Sequence, residues 1–168
     1  MFDWLIKASL QKSVVYFFYY YCDNFINFNF HFIKMTKEFE QISIKPGFMK
    51  HNGGVLFRTI SETEYEFKSV INKNHLNAIS ITHGGYLSAL IDSGAGTAAH
   101  RAAGNVPCVT ISLDIKFIGS SKEGDEIVGY TRILKKTKTL VFLFCELRCD
   151  NQIISSASGI WKILKVKI

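Results

Sequence analysis

The side chains best suited to chemistry fall within NAISITHGGYLSALIDSGAGTAAH, residues 77–100. Asn77 offers an amide donor, His83-Gly84-Gly85 precedes an apolar run, and one acid, Asp92, stands inside that run. From Gly85 onward the residues are apolar or small for about four turns, with no Pro and no clear polar face, which predicts a buried helix. Asp92 then has two readings. It is a core acid satisfied by a hydroxyl or a basic side chain, or it is a desolvated carboxylate beside open space, because Ser88, Ala89, Ala95 and Gly96 are all small. The first backbone N–H groups of a helix lack intrahelical acceptors and carry the positive end of its dipole. Gly84 and Gly85 leave those donors uncovered, so a developing oxyanion could be stabilised there, with Asn77 adding a donor from the preceding loop. His83 and Asp92 are nine residues apart, about 900° of rotation and about 13.5 Å of rise. They face opposite ways and could meet around one ligand only if two helices lie side by side.

The elements that must hold these residues are mostly strands. VLFRTI and TEYEFKSV alternate around Ser61-Glu62 and predict a hairpin. VPCVTISLDIKF follows the helix after a Gly104-Asn105 turn, and EIVGYTRIL, TLVFLFCELRC and QIISSASGIWKIL give three further strands. Lys135-Lys136-Thr137-Lys138 and Asp150-Asn151 supply the turn chemistry between them. Residues 35–48 suggest a short amphipathic helix broken at Pro46-Gly47. One helix among about five antiparallel strands is an α+β arrangement.

With 168 residues, 48% hydrophobic and 20% charged, the chain suits one globular domain. Its net charge of +6 is spread out, with no basic helix, so nucleic acid is not an expected partner. Residues 1–34 stand apart, holding 12 of the chain's 23 aromatic residues. Lys12 and Asp23 limit the uncharged run between them to ten residues, so stable membrane insertion is not expected. The segment is read as non-native or disordered, with Met35 as the natural start and residues 35–168 as the domain; a membrane-surface anchor is the alternative. Cys22, Cys108, Cys145 and Cys149 form no metal-like pair, and reduced thiols in a cytoplasmic protein are the simplest account. His51, His75 and His100 lack metal-ligand spacing and are assigned surface or capping roles. Lys135, Lys136, Lys138 and Arg101 are read as a solvated turn and its neighbour.

The series Asn77, His83-Gly84-Gly85, Asp92, then VTISLDIKF and EGD, resembles the PaaI-like acyl-CoA thioesterases of the hotdog superfamily over residues 53–164. The resemblance implies an antiparallel sheet wrapped around one long central helix. It also implies a homodimer or homotetramer with shared active sites, and acyl-CoA as substrate with no cofactor or metal. By the same resemblance Asp92 is the general base or nucleophile, Gly84 the oxyanion-hole donor, and Asn77 and His83 the groups that orient water and the thioester carbonyl. Thr110, eighteen residues after Asp92, falls where the family often has a Ser or Thr at the reacting centre. Gly85, Ser88 and Gly96 are expected to line the acyl site. A hotdog dehydratase or hydratase, and an acyl-CoA-binding protein without turnover, remain alternatives.

Overall fold

A computed structural model describes residues 38–165. The segment 1–34 and the expected start at Met35 lie outside the described residues. Among those described, seven strands form one antiparallel sheet: β1 (Glu40–Gln41), β2 (Leu56–Thr59), β3 (Glu64–Val70), β4 (Cys108–Phe117), β5 (Glu126–Lys136), β6 (Leu140–Cys149) and β7 (Gln152–Ile163). Their order across the sheet is β1-β2-β3-β5-β6-β7-β4. A one-turn helix α1 (Phe48–His51) precedes β2, and the long helix α2 (Gly84–Ala102) connects β3 to β4. The chain therefore leaves the sheet after β3, crosses it as α2, and returns at the far edge, where β4 pairs only with β7. This is the expected hotdog arrangement of a sheet wrapped on one helix, with the two-residue β1 added to the strand segments read from sequence.

Strand formation follows the alternation in the sequence. Along β6, from Leu140 to Cys149, every second residue is buried, and β3 buries Tyr65, Phe67 and Ser69 while Glu66 and Lys68 are partly open. The tight β6–β7 turn is made by Asp150 and Asn151, both at positive φ (47° and 65°), the conformation such two-residue hairpins favour. The amphipathic helix expected over residues 35–48 is corrected. Ile42 N–H donates to Val55 O, and Gln41 Oε1 accepts from the N–H groups of Ser43 and Val55. These bonds satisfy the backbone laterally, against the segment entering β2, so the helix forms only after Pro46-Gly47.

Helix α2 runs 19 residues, about five turns. It is not apolar on all sides. Tyr86, Leu87, Leu90, Ile91, Gly94, Ala95, Ala98 and Ala99 are buried, a run of adjacent pairs repeating every four residues and hence one stripe facing the sheet. Gly94 lies on that stripe because the Phe67 ring lies against it: a Cβ there would come within 2.4 Å of ring carbons. The same ring fills the space over Gly129 of β5, where a Cβ would meet it at 2.1 Å. Trp161 of β7 is seated in the same way, with a Cβ at Gly159 reaching its indole at 2.4 Å and one at Gly96 reaching Nε1 at 3.2 Å.

Gly129→Ala is expected to destabilise the fold by about 1–3 kcal/mol, the usual cost of overpacking a core. Phe67→Leu combined with it should cost less than the sum of the two single changes, because the smaller side chain makes room for the methyl. Thermal or denaturant unfolding of the four proteins measures this; strict additivity would show that the ring and the glycine do not contact each other.

Candidate active site

The start of α2 is built by His83. Its backbone is extended (φ −66°, ψ 133°), it occupies the N-cap, and its Nδ1 accepts from Gly85 N–H at 2.8 Å. An imidazole that accepts through Nδ1 is neutral, with its proton on Nε2, so that N–H remains to donate. Both glycines now have a steric reason. A Cβ on Gly85 would stand 2.9 Å from His83 Nδ1, and one on Gly84 would meet the Phe117 ring at 3.3 Å. The expectation that Gly84 and Gly85 both present free donors is corrected, since the imidazole caps Gly85. Tyr86 and Leu87 N–H donate to His83 O at 2.9 and 3.2 Å. Among the described residues no acceptor takes Gly84 N–H, which leaves it as the uncommitted amide of the first turn.

Asn77 sits half-buried at the head of a tight loop. Its Oδ1 accepts from the N–H groups of Ile79 (3.0 Å) and Ile81 (3.3 Å), and its own N–H donates to Ile81 O at 2.8 Å. Ser80 takes a positive φ of 62° to close the turn. With Oδ1 occupied, Nδ2 is the end of the amide left to donate. The loop is tied down beyond it, where Thr82 N–H and Oγ1 both donate to Ser121 O and the two hydroxyls lie 2.7 Å apart.

Asp92 lies on the face of α2 that the sheet leaves uncovered, and within the chain it is exposed. The burial expected for it is corrected for that reason: the apolar stripe turns toward the sheet, and Asp92 turns away. Its carboxylate is nevertheless held, because Thr110 Oγ1 donates to Oδ1 at 2.6 Å. Thr110 belongs to edge strand β4, at a bulge where the pairing with β7 shifts between Thr110 and Ser112. The structure thus brings Asp92 and Thr110 into contact, and holds Asn77 in the loop that the Leu76–Thr82 bridge closes just before His83 and Gly84. The two groups are well separated, since eight residues of helix between Gly84 and Asp92 amount to about 12 Å of rise.

The small residues around Asp92 divide in the same way. Ser88 and Ala89 are half-buried on the open side, with Ser88 Oγ donating to Gly84 O at 2.8 Å. Ala95 is fully buried against the sheet. The space beside Gly96 is taken by Trp161, so the open volume expected there from residue size is corrected. Lys136 and Arg101, read from sequence as a solvated group, are engaged locally: Lys136 Nζ donates to Ala102 O at the helix C-terminus, and Arg101 pairs with Glu40 at 2.7 Å.

Cys145 and Cys149 do not compete as nucleophiles. Burial pushes the Cys145 thiol up to about 12, and burial together with the nearby Asp125 carboxylate pushes Cys149 up to about 11, so both remain protonated near neutrality. His75, assigned a surface or capping role, is a cap but is fully buried, and burial lowers its pKa from the ordinary 6.5. It stacks on Tyr86, with ring centroids 3.6 Å apart. Sequence reasoning missed this pair; the signal present was Asn72 three residues before His75, the spacing of a reciprocal helix cap.

The family model described as Thioesterase superfamily matches residues 80–155, the span from the loop before His83 into β7. The chain is 33% identical over 94 residues to a Pseudomonas aeruginosa protein named "Putative esterase", a match covering 55% of this chain and 70% of that one. It is 32% identical over 77 residues to mouse acyl-coenzyme A thioesterase 13, covering 46% of this chain and 55% of the mouse protein, so it spans about half the length of that relative. Among solved structures, the PaaI protein from the phenylacetic acid degradation operon of E. coli superposes with a TM-score of 0.62 at 16% identity, over 68% of this chain and 83% of that one, which is a likeness of fold. The family model and the 33%-identical relative, covered over 70% of its length, show that the chain belongs to the thioesterase superfamily.

Proposed function

We propose that this protein is an acyl-CoA thioesterase that hydrolyses its substrate to a free acid and CoA. The observation that carries the reading is the pairing of two complementary devices: an uncommitted Gly84 N–H on a helix N-terminus, and a carboxylate, Asp92, fixed by Thr110 on the open face of the same helix. A thioester carbonyl oxygen placed at Gly84 accepts from its N–H, and His83 Nε2–H and Asn77 Nδ2 are the side-chain donors of the same loop. Asp92 either takes a proton from an attacking water or attacks the carbonyl carbon itself to give an anhydride that water then opens. In both routes negative charge grows on the carbonyl oxygen, where the amide and the helix dipole stabilise it. Collapse of the tetrahedral intermediate expels CoA thiolate, which leaves as the thiol after taking up a proton. Gly85, through its lack of a side chain, and Ser88 flank the acyl group in this reading. The free thiols Cys108, Cys145 and Cys149 suit a cytoplasmic setting.

The separation of about 12 Å along the helix makes the site a shared one in this reading, with Gly84 of one copy facing Asp92 of a second. The proposed contact is strand β4. One of its edges pairs with β7 while the other is open, and Val109, Ile111 and Phe117 are 45%, 57% and 55% exposed on it. An exposed apolar edge strand favours pairing with another strand. A two-fold pairing of β4 with its counterpart would cover that edge, bring the open faces of the two helices together and desolvate Asp92. A dimer is the smallest unit that completes the site, and a tetramer of two such dimers contains it twice.

Asp92→Asn keeps the shape of the side chain and should fold, yet lower thioester hydrolysis by about 10² to 10⁴ if the carboxylate is the base or nucleophile. Thr110→Val should cost less, about tenfold, because it removes one hydrogen bond to a charged group. Release of free thiol from a panel of CoA esters measures both, and near-wild-type turnover by Asp92→Asn would reject the assignment.

Sharing of the site has its own test. Asn77→Ala and Asp92→Ala should each be nearly inactive alone. Refolded together in equal amounts they form half mixed dimers, each with one intact site, and recover about a quarter of wild-type activity by symmetry. Absence of recovery despite demonstrated subunit exchange would place the site within one chain.

A further inference from the structure

The geometry points to His75 as a positioning residue for the oxyanion site, acting through neutral ring nitrogens that hold the loop and the first turn of α2 in register. This inference rests on the thioesterase reading for its kinetic consequence and on hydrogen bonding alone for its structural one. His75 is 1% exposed and ends a short 3-10 turn, Lys73–His75. Its Nδ1 accepts from Asn72 N–H at 3.2 Å, while Asn72 Oδ1 accepts from Asn74 N–H at 2.9 Å. Because Nδ1 accepts, the neutral ring has its proton on Nε2, and that N–H donates to Asn52 O at 3.0 Å. Both nitrogens are therefore committed, one to each side of the ring.

The first turn of α2, the His83 cap and the loop that carries Asn77 meet at this residue. Its ring is nearly parallel to that of Tyr86, 9° between planes, and Tyr86 lies in the first turn of α2 immediately after Gly84-Gly85. Tyr86 is anchored in turn through its hydroxyl, 2.7 Å from Ser69 Oγ. The backbone oxygen of His75 accepts from His83 N–H at 2.8 Å, and the adjoining bridge between Leu76 and Thr82 closes the loop that presents Asn77. Gly53 packs on the far side, where a Cβ would stand 3.7 Å from His75 Cε1. Asn77, the His83 cap and Gly84 all hang from this buried ring and its backbone, though His75 itself has no exposed surface with which to touch a substrate.

Protonation would undo the arrangement. An imidazolium has no acceptor at Nδ1, so Asn72 N–H would lose its partner in a buried place. The titratable side chain facing the ring is Tyr86, whose phenol burial holds above its ordinary 10; the other neighbours, Asn52, Gly53 and Asn72, carry no charge. Burial keeps the folded-state pKa of His75 below 6.5, which favours the neutral ring that the cap requires.

The test uses His75→Phe, which keeps the stack on Tyr86 and removes both ring hydrogen bonds, and His75→Gln, whose amide can accept from Asn72 and donate to Asn52. Amide exchange followed by NMR reads the structure without substrate. In the Phe variant the amides of His83, Gly85, Tyr86 and Leu87 should exchange at least about tenfold faster, with residues 90–99 protected as in wild type. Against a CoA ester the same variant should lose at least about tenfold in kcat per folded subunit with KM within about twofold, since misplacing the donor affects the transition state most. The Gln variant should recover most of both. Unchanged exchange at the helix start, or faster exchange spread evenly along α2 with kcat per folded subunit intact, would overturn the inference. A wild type inactive on every CoA ester, with the local exchange change present, would sink the thioesterase reading and leave the positioning role standing.

Discussion

The depth at which helix α2 rides on its sheet is set by two aromatic rings and four glycines. Phe67 lies between Gly94 and Gly129, where a Cβ would overlap its ring, and Trp161 lies against Gly159, where a Cβ would overlap the indole, and close to Gly96, where a Cβ would be a tight 3.2 Å from Nε1. Glycine within a helix or strand costs roughly 0.5–1 kcal/mol relative to alanine. Burying a Phe or Trp side chain in close contact contributes more than that, through area removed from water and through dispersion. These contacts fix where the buried stripe of α2 sits, and the rigid helix transmits that placement to both ends of the site. Helix geometry sets the spacing of Gly84 and Asp92, and the ring contacts set where both stand relative to the sheet, because a roll or lift of the helix would disturb both seats.

The same packing explains why chemistry collects on one side of the helix. A sheet can cover only one face, so the stripe from Tyr86 to Ala99 is closed while Ser88, Ala89 and Asp92 are left outside. Edge strand β4 borders that open face. Thr110 reaches from it to Asp92, and Phe117, at its other end, reaches over Gly84. One strand therefore lies alongside both devices, and its bulge at Thr110 to Ser112 falls where the hydroxyl is delivered. In the proposed dimer a second copy on this edge would enclose the open face, and water exclusion would strengthen the electrostatic interactions inside it.

Most of the sheet was legible because alternation in strands such as β6 is a local property of the sequence. The Asn77, His83-Gly84-Gly85 and Asp92 series was legible too, since residue type and spacing carry it. Other features depended on pairing distant residues. Ala and Gly in the middle of α2 read equally well as room for a ligand or as seats for rings, and only the arrival of Trp161, sixty-five positions after Gly96, decides for the latter. Apolar residues on the helix looked continuous because its polar stripe, Ser88, Asp92, Ser93, Thr97 and His100, consists mostly of small hydroxyl residues with Ala and Gly between them. Asp92 therefore reads as buried, whereas within the chain it is exposed. The turn at Pro46-Gly47 was seen, but the lateral bonds of Gln41 and Ile42 to Val55 are long-range and overrode a locally reasonable helix.

The start of α2 shows how a cap can sharpen a site that a helix terminus alone would leave diffuse. A bare N-terminus offers several orphan amides spread over one turn, and water can solvate any of them. Here His83 removes that freedom: its carbonyl accepts from Tyr86 and Leu87, and its ring accepts from Gly85. What remains is one amide, Gly84, carrying the positive end of a 19-residue helix and bordered by the Phe117 ring on the side where a Cβ would have been. Capping through Nδ1 also sets the tautomer, so the His83 Nε2–H becomes a second donor rather than an acceptor. A neutral imidazole is required for this, because an imidazolium could not cap Gly85. The glycines and the direction of the hydrogen bonds at this end of the helix thus follow from close packing against the His83 and Phe117 rings and from capping by a neutral imidazole.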